Sequence, residues 1–284
     1  MTGGGARVAA VPRPRTAGWL TAAAFVVLLV WSYRGTQIDL GALVGGEAMR
    51  QIGGYLAKLF PPDLSAPTLR AAGVGAVETF AISFVGSLLA VLIAFPLALA
   101  TDRSLLYRGV LYEGRPPAGA RRAVRVGVYA GAKAVLNVLR TIPEIVWALL
   151  FVFMVGLGPF PGVLALGFHT GGVLGKLFGE VLEDVDPRPL EALQSTGASR
   201  LRILLYGVLP QAMPQFVAYA LYRWEVNIRA AAIMGLVGAG GLGQRIHFAI
   251  SLFLERELLT LILAIYVIVT LVDALSAYLR SKLV

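Results

Sequence analysis

Residues 258–279 read LLTLILAIYVIVTLVDALSAYL, a 22-residue apolar stretch with one charge, at Asp273. A helix needs about 20 mostly apolar residues to cross the hydrocarbon of a bilayer, so this stretch predicts a membrane span. The whole chain has a matching composition. Of its 284 residues 57% are hydrophobic and 14% are charged, whereas soluble domains carry about 25% charged residues. The sequence therefore predicts a polytopic membrane protein and argues against a soluble enzyme or a disordered chain.

Five further segments are apolar enough to be predicted as spans, which gives an all-α fold with six transmembrane helices. They are Trp19–Tyr33, Ala72–Ala100, Val126–Gly158, Phe160–Leu177 and Leu204–Val237. The span starting at Val126 is too long for one straight crossing. Pro143 inside it is expected to bend it, because proline lacks a backbone donor and clashes with the preceding turn.

The first span has a competing interpretation. Arg7, Arg13 and Arg15 precede its apolar part, and a basic start before an apolar middle is also typical of a signal peptide. The segment ends in Trp31-Ser-Tyr-Arg34, which offers no small-x-small cleavage site. We therefore expect an uncleaved first helix.

Basic residues between the spans predict the orientation, since cytoplasmic loops are enriched in Lys and Arg. With the amino terminus inside, the inner segments carry 15 basic residues and the outer segments carry 6. Both termini are therefore expected in the cytoplasm. The net charge of +9 then reflects topology and does not indicate nucleic-acid binding.

The outer segment between the first two spans contains apolar residues at roughly helical spacing before Pro61-Pro62. They are Leu40, Leu43, Val44, Ile52, Leu56, Leu59 and Phe60. The pattern predicts an amphipathic helix on the outer membrane face, either a packing element or a docking surface. The chain is thus divided into a basic tail (1–18), a first helix (19–33), this outer segment (34–71) and a core (72–284).

The sequence lacks the residues that several kinds of chemistry require. The chain has no cysteine, so disulfides, zinc–thiolate sites and thiol catalysis are excluded. His169 and His247 are too few and too scattered for a metal centre. An intramembrane hydrolase, which needs a nucleophile with a base or a metal cluster, is only a remote alternative.

The inner segment 187–203 predicts a compact cytoplasmic knob. Leu190 and Leu193 can face one way and leave Glu191 exposed in the first turn, where a carboxylate suits the helix dipole. Gly197 is expected to end this helix, and Ala198-Ser199 to open another. Such a knob fits a groove on a partner protein.

Glu191-Ala192 followed by Gly197, then Leu209-Pro210, resembles the EAA loop of bacterial ABC importer permeases. The resemblance implies a type I importer core, like that of methionine permeases, whose coupling helices dock onto separate ATP-hydrolysing subunits. The residues expected at that joint are Glu191, Ala192, Leu193, Gly197 and Ala198. Leu193 departs from the family pattern, which usually has a second alanine there.

A glycine-rich stretch from Gly235 to Gln244 resembles the block after the penultimate core span of type I importers. The resemblance implies an outer loop or gate beside the translocation path. Its residues are Gly235, Gly238, Gly240, Gly241 and Gly243. The stretch also matches the dinucleotide fingerprint, but that motif needs a preceding strand and a βαβ unit, so nucleotide binding is not expected. No Gly-x-x-x-x-Gly-Lys-[Ser/Thr] occurs either, which assigns ATP hydrolysis to another chain.

Charged residues lie within the predicted spans, where ionisable groups are costly and usually face a protein interior or a water-filled path. Glu225 and Arg229 are spaced i,i+4 and can pair, either to hold helices together or to line a path. Arg140 and Glu144 share that spacing. Arg223 has no equally placed acid in its own helix, which favours a role with an anion or a partner helix.

Two uncharged features accompany these residues. Thr141 is expected to satisfy backbone groups that Pro143 leaves free. His169 is either a pore residue or a histidine that packs between helices.

Three runs, at 140–144, 168–172 and 223–229, together resemble the phosphonate-type permeases of the ABC family. The resemblance implies import of phosphonates or related oxyanions, such as phosphite and phosphate esters, by alternating access. Guanidinium groups suit tetrahedral phosphorus oxyanions. The candidate path residues are Arg140, Thr141, Glu144, His169, Arg223, Glu225, Asn227 and Arg229. A permease for another small solute, such as an amino acid, is the alternative, because importers share the coupling loop.

The same resemblance implies a non-catalytic subunit of the bacterial inner membrane. Such a subunit binds no cofactor itself; ATP and Mg²⁺ bind two partner ATPases, and an extracytoplasmic solute-binding protein delivers the cargo. One coupling loop per chain for two ATPases implies a second permease chain, most simply an identical copy.

Overall fold

The computed structural model describes residues 15–36, 41, 45–106 and 119–283, and these ranges contain helices and turns but no strand. The chain divides into two compact units, 1–57 and 58–284. The arginines before position 15, and Leu40, Leu43 and Val44 of the predicted outer helix, lie outside the described residues.

The amino-terminal unit contains helix α1, Arg15–Thr36, and most of α2, Gly46–Leu59. Helix α1 includes a 19-residue apolar segment long enough to cross a membrane, at the place where the first span is predicted. Helix α2 ends at Leu59, just before the two prolines.

The second unit is built from ten helices in its described part. They are α3 (Ala66–Thr101), α4 (Arg103–Leu106), α5 (Gly119–Thr141), α6 (Glu144–Val155), α7 (Pro159–Glu183), α8 (Pro187–Ser195), α9 (Arg200–Ile203), α10 (Leu209–Met234), α11 (Gly241–Ser251) and α12 (Glu255–Leu283). A π-helical turn, Leu204–Val208, joins α9 to α10, and a 3₁₀ turn, Gly235–Val237, follows α10.

Among the described helices, α1, α3 and α12 are each long and apolar enough to cross a membrane, and up to five spans result if each bent pair counts as one. The bent pairs are α5 with α6, at 92°, and the helical run 200–237 with α11, at 42°. The predicted bend at Pro143 is therefore confirmed. Helix α7, the predicted fourth span, does not meet the criterion of length and hydropathy, so the count of six stays a prediction.

Most of helix α7 is buried among other helices. One side carries a glycine at every fourth position: Gly167, Gly171, Gly175 and Gly179. These glycines contact α3 and α5, where the fully buried Ala90, Ala94 and Ala98 face them or lie beside them. Small residues at this spacing let two helix backbones approach closely inside a membrane. A helix that packs this way needs few of the large side chains that contact with lipid requires.

Asp63 fastens the linker before α3 to the start of α12. Its backbone N–H donates to the carbonyl of Arg256 at 3.2 Å, and its carbonyl accepts from the Thr260 hydroxyl at 2.8 Å. Its carboxylate accepts from the Thr68 hydroxyl at 2.6 Å and from the Ser65 N–H at 2.9 Å. The bond from Thr68 and then that from Ser65 lower the pKa of the Asp63 carboxyl below its ordinary value.

This lowered pKa predicts a pH dependence. The contribution of Asp63 to the free energy of unfolding is complete above the ordinary pKa of aspartate and is lost as the pH falls through the lowered one. The melting temperature of wild type is therefore expected to exceed that of Asp63→Asn most at neutral pH, with the difference shrinking in strong acid. Thermal unfolding of both proteins in detergent measures this, and a difference that does not change with pH would contradict it.

Candidate translocation path and coupling site

The break between α5 and α6 leaves two backbone carbonyls without helical partners. Pro143 has no N–H to offer the Leu139 carbonyl, which instead accepts from the Trp147 indole N–H at 3.1 Å. The Ile142 carbonyl lies 2.9 Å from Nδ1 of His169 on α7. Thr141, predicted to satisfy such groups, is exposed, so that prediction is wrong for these two carbonyls. The Leu139 and Ile142 carbonyls are instead contacted by Trp147 and His169, which lie after the bend.

The bend also separates Arg140 from Glu144. Arg140 donates from Nε and Nη2 to Oδ1 of Asn137, at 3.2 and 2.7 Å. The Glu144 carboxylate lies 3.5 Å from Nε2 of His169. The expected pairing of Arg140 with Glu144 is therefore wrong, because the helical spacing of four ends where the helix breaks.

Residues 168–172 of α7 each engage another helix. The Phe168 ring packs tilted against Trp147 and edge-on against Phe151, with ring centroids 5.6 and 5.2 Å away. The Thr170 hydroxyl donates to Oδ1 of Asn227 at 2.8 Å. Gly172 lies against the backbone of Leu139 and Arg140. Together with Gly171, which lies against Ile93 of α3, the run contacts α3, α5, α6 and α10.

Asn227 lies inside the helix packing. Its side chain accepts from Thr170 of α7 and donates to the Ser87 hydroxyl of α3 at 2.9 Å, and the residue is 1% exposed. His169 is held between the Ile142 carbonyl and the Glu144 carboxylate, with 16% of its side chain exposed. Both predicted path residues thus join helices in this conformation.

Glu225 and Arg229 do form the predicted pair, but as part of a larger network with α12. Nη2 of Arg229 lies 3.6 Å from Glu225 and also bonds Asp273. Nη2 of Arg280 donates to Oε2 of Glu225 at 2.9 Å, and its Nη1 donates to Ser276 at 2.8 Å. The two arginines and two carboxylates of this network balance in charge. This favours the interpretation that the Glu225–Arg229 pair holds helices together.

Arg223 lies outside that network. Its Nε is buried and lacks a hydrogen-bond partner among the described residues. A buried donor left unpaired costs free energy, so this Nε calls for a partner that the described part of the chain does not supply. An anion, water or a second chain would serve.

The knob at 187–203 is the helix–turn–helix that the sequence predicts. Asp186 caps α8 by accepting from the Arg188 N–H at 3.0 Å. Leu190 and Leu193 pack against Gly207 in the π turn, while Glu191 is exposed. Because α8 starts at Pro187, Glu191 occupies its second turn and not its first, so the predicted dipole argument does not apply to it.

Gly197 ends α8 as predicted. Its φ is +79°, and its N–H donates to the Gln194 carbonyl at 2.9 Å, while the Ala198 N–H donates to the Leu193 carbonyl at 3.2 Å. These two bonds make a Schellman motif, which normally takes glycine at the left-handed position. The side chain of Leu193 packs beneath the knob, beside Gly207.

The glycine-rich stretch forms a tight loop between two helices. Gly238, Gly240 and Gly241 have φ of +91°, +79° and +72°, and the Gly158 N–H donates to the Gly238 carbonyl at 3.0 Å. Its flanking elements are α10 with its 3₁₀ turn and α11. The loop therefore lacks the strand that a dinucleotide site requires.

Glu78 of α3 anchors this loop and was not predicted. One carboxylate oxygen accepts from the Gly241 N–H at 3.1 Å, and the other lies 3.8 Å from Nη2 of Arg245. The hydroxyl of Thr79 accepts from the Leu242 N–H at 2.9 Å. A carboxylate is favourable at a helix amino terminus. The sequence signal was present, since Glu78 is the one charge between Ala72 and Ala100.

Residues 123–284 match a protein family described as the binding-protein-dependent transport system inner membrane component. The chain belongs to this family. The permease is 37% identical over 256 residues to the phosphite transport system permease protein PtxC of Stutzerimonas stutzeri, covering 90% of this chain and 85% of that protein. It is 34% identical over 242 residues to the phosphate-import permease protein PhnE of Mycolicibacterium smegmatis, covering 85% of this chain and 42% of that protein.

A solved structure of the MetNI methionine ABC transporter, in an inward-facing conformation, shares the fold of the permease. The TM-score is 0.61 at 22% identity, and the match covers 78% of this chain and 100% of that chain. The predicted all-helical importer core is thereby confirmed. The permease is a non-catalytic inner-membrane component of an ABC importer, which implies an ATPase and a binding protein as partners.

Proposed function

We propose that this permease imports small phosphorus oxyanions, such as phosphite and phosphonates. The observation that carries the proposal is the similarity to a phosphite permease over 90% of the chain. The relative from Mycolicibacterium smegmatis, which imports phosphate by its name, points to the same class of cargo.

The charges within the helices support an anionic cargo. Arg140 bonds the neutral amide of Asn137, and Nε of Arg223 is buried without a hydrogen-bond partner among the described residues. Arginine offers forked donors that match tetrahedral oxyanions. Arg229 is a weaker candidate for binding the cargo because it already pairs with Glu225 and Asp273.

The coupling mechanism rests on the knob. Glu191 and Ala192 are exposed and would contact an ATPase, while Leu190 and Leu193 bear on Gly207 of the π turn. Closure of the ATPases on binding ATP would therefore push on the start of α10, which carries Arg223. Two ATPases need two such knobs, so the importer contains two permease chains, here proposed to be identical.

Reconstitution tests the cargo. The permease would be placed in proteoliposomes with its ATPase and binding protein, and ATP hydrolysis measured with phosphite, methylphosphonate, phosphate and methionine in turn. We expect stimulation by at least one phosphorus oxyanion and none by methionine. Stimulation by methionine alone would overturn the proposal in favour of an amino-acid importer.

Replacement of Glu191 tests the proposed role of the knob in coupling to the ATPase. Glu191→Ala is expected to lower import and cargo-stimulated ATP hydrolysis about tenfold or more, because a hydrogen bond to a charged group contributes about 1.5–3 kcal/mol. Membrane insertion and melting temperature should not change, since the side chain is exposed.

Asp184→Ala provides a matched control, because Asp184 is an exposed acid just before the knob. It should import at the wild-type rate. Equal transport by Glu191→Ala and Asp184→Ala would show that Glu191 is not at the ATPase joint.

A further inference from the structure

One face of α5 carries polar side chains along the predicted inner half of the bent span that α5 forms with α6. Tyr129, Lys133, Asn137 and Arg140 follow one another at intervals of four, four and three residues, which places them on a single helix face. Lys133 and Asn137 are exposed in the single chain. Polar groups at this depth normally face a water-filled cavity or protein and not lipid, so this face borders water or a second chain.

A cavity of about 250 Å³ opens along this face. Lys133, Asn137 and Arg140 line it from α5, and Lys176 and Glu180 line it from α7. A volume of this size holds several water molecules. A small hydrated anion therefore fits.

The balance of charge in the cavity is positive. Lys176 pairs with Glu180 at 3.3 Å, and Glu183, which also lines the cavity, lies 3.8 Å from Arg103. Lys133 lies 4.8 Å from the centre of the Tyr129 ring, and Arg140 bonds Asn137. Neither Lys133 nor Arg140 has a carboxylate partner among the described residues, so two cations are not neutralised.

Arg140 is also oriented for a ligand. Asn137 Oδ1 accepts from Nε and Nη2 of Arg140, which fixes the plane of the guanidinium. Guanidinium has five N–H donors, so at least three stay available. Lys133, about two helical turns nearer the inner end of α5, supplies a second and more mobile cation.

We infer that this cavity is an inner oxyanion site, in which Arg140 and Lys133 bind a tetrahedral phosphorus oxyanion on its way to the cytoplasm. The inference rests on the proposed function and extends it from the cargo to a place in the permease where the cargo pauses. Asn137 is a positioning residue that holds Arg140, and Lys176, paired with Glu180, lines the cavity from α7. Free phosphite and the phosphate of a lipid headgroup share this chemistry, and the size of the cavity favours the free ion.

Binding of phosphite tests the site. The permease–ATPase complex would be prepared in phosphatidylcholine nanodiscs without nucleotide and without binding protein, and broadening of the ³¹P resonance of phosphite followed. We expect saturable binding that Lys133→Ala weakens about 10- to 100-fold, the usual range for one charge-assisted hydrogen bond. Lys133→Arg should retain it, and melting temperatures should stay equal.

Lys282→Ala, at the exposed end of α12, is the matched control and should bind as wild type does. Wild type that binds no phosphite, or Lys133→Ala that binds like wild type, would overturn the inner site. A further arm adds phosphatidylglycerol to the nanodiscs. Loss of phosphite binding there would assign the cavity to a lipid headgroup and overturn the free-ion site.

The two proposals fail separately. Phosphite-stimulated ATP hydrolysis without binding that depends on Lys133 would refute the inner site and leave the cargo assignment standing. Binding that depends on Lys133 in an importer stimulated only by methionine would refute the cargo assignment and leave the site as an anion site.

Discussion

Replacing Gly243 by alanine is expected to destabilise the permease by about 3 kcal/mol or more, at or above the upper end of the range for overpacked cores. A Cβ at Gly243 would overlap the carbonyl oxygen of Ala232 and would come within 2.9 Å of the Gly235 Cα. Both atoms belong to the backbone, so no side chain can rotate away to make room. The ends of α10 and α11 would have to separate.

Thermal unfolding in detergent and size-exclusion profiles measure this effect. Gly73→Ala is the matched control, because a Cβ at that helical position of α3 meets nothing within 4 Å. The control is expected to melt at or slightly above the wild-type temperature, since alanine favours a helix over glycine. If both variants melt alike, the close contact between α10 and α11 does not exist in the protein.

The second large effect is expected at Glu225, which contacts both Arg229 and Arg280. Glu225→Gln should destabilise the permease by about 2 kcal/mol. Breaking a buried pair costs about 3–5 kcal/mol, and the figure is reduced here because Arg229 is 44% exposed. The double variant Glu225→Gln, Arg280→Gln should recover part of the loss, since it leaves Arg229 with Asp273 and removes the unpaired cation.

A double-mutant cycle on the free energy of unfolding measures the coupling between Glu225 and Arg280. Residues joined in one network typically couple by about 0.5–3 kcal/mol. Glu180→Gln, which removes an exposed i,i+4 partner of Lys176, should change stability by less than about 0.5 kcal/mol. Strictly additive effects of Glu225→Gln and Arg280→Gln would contradict the network.

The sequence allowed the fold to be predicted where one residue determines a local geometry. Pro143 bends the third span and Gly197 ends α8, because each has a backbone property that no neighbour overrides. Helix α7 shows the limit of hydropathy, which reports contact with lipid and not with protein. Its glycines at every fourth position were the better signal of a buried helix.

Ion pairs and hydrogen bonds between different helices could not be predicted. The spacing of residues along one helix does not identify the residues that face it on a neighbouring helix. Arg140 and Glu144 have the right spacing but lie on either side of a 92° bend. Asp273 and Glu78 are single charges in otherwise apolar spans, a pattern that signals a partner without identifying it. The structure supplies Arg229 for the first, and Arg245 with the Gly241 N–H for the second.

The π turn between α9 and α10 affects how far the knob at 187–203 can move relative to α10. A π turn contains one residue more than the α-helical turn that it replaces. The chain therefore has one additional residue at the point where the knob joins α10. Elsewhere in α10, adding or deleting one residue would rotate everything beyond it by about 100°. At Leu204–Val208 the spare residue can shift along the helix, and the knob can then turn without changing which face of α10 carries Arg223.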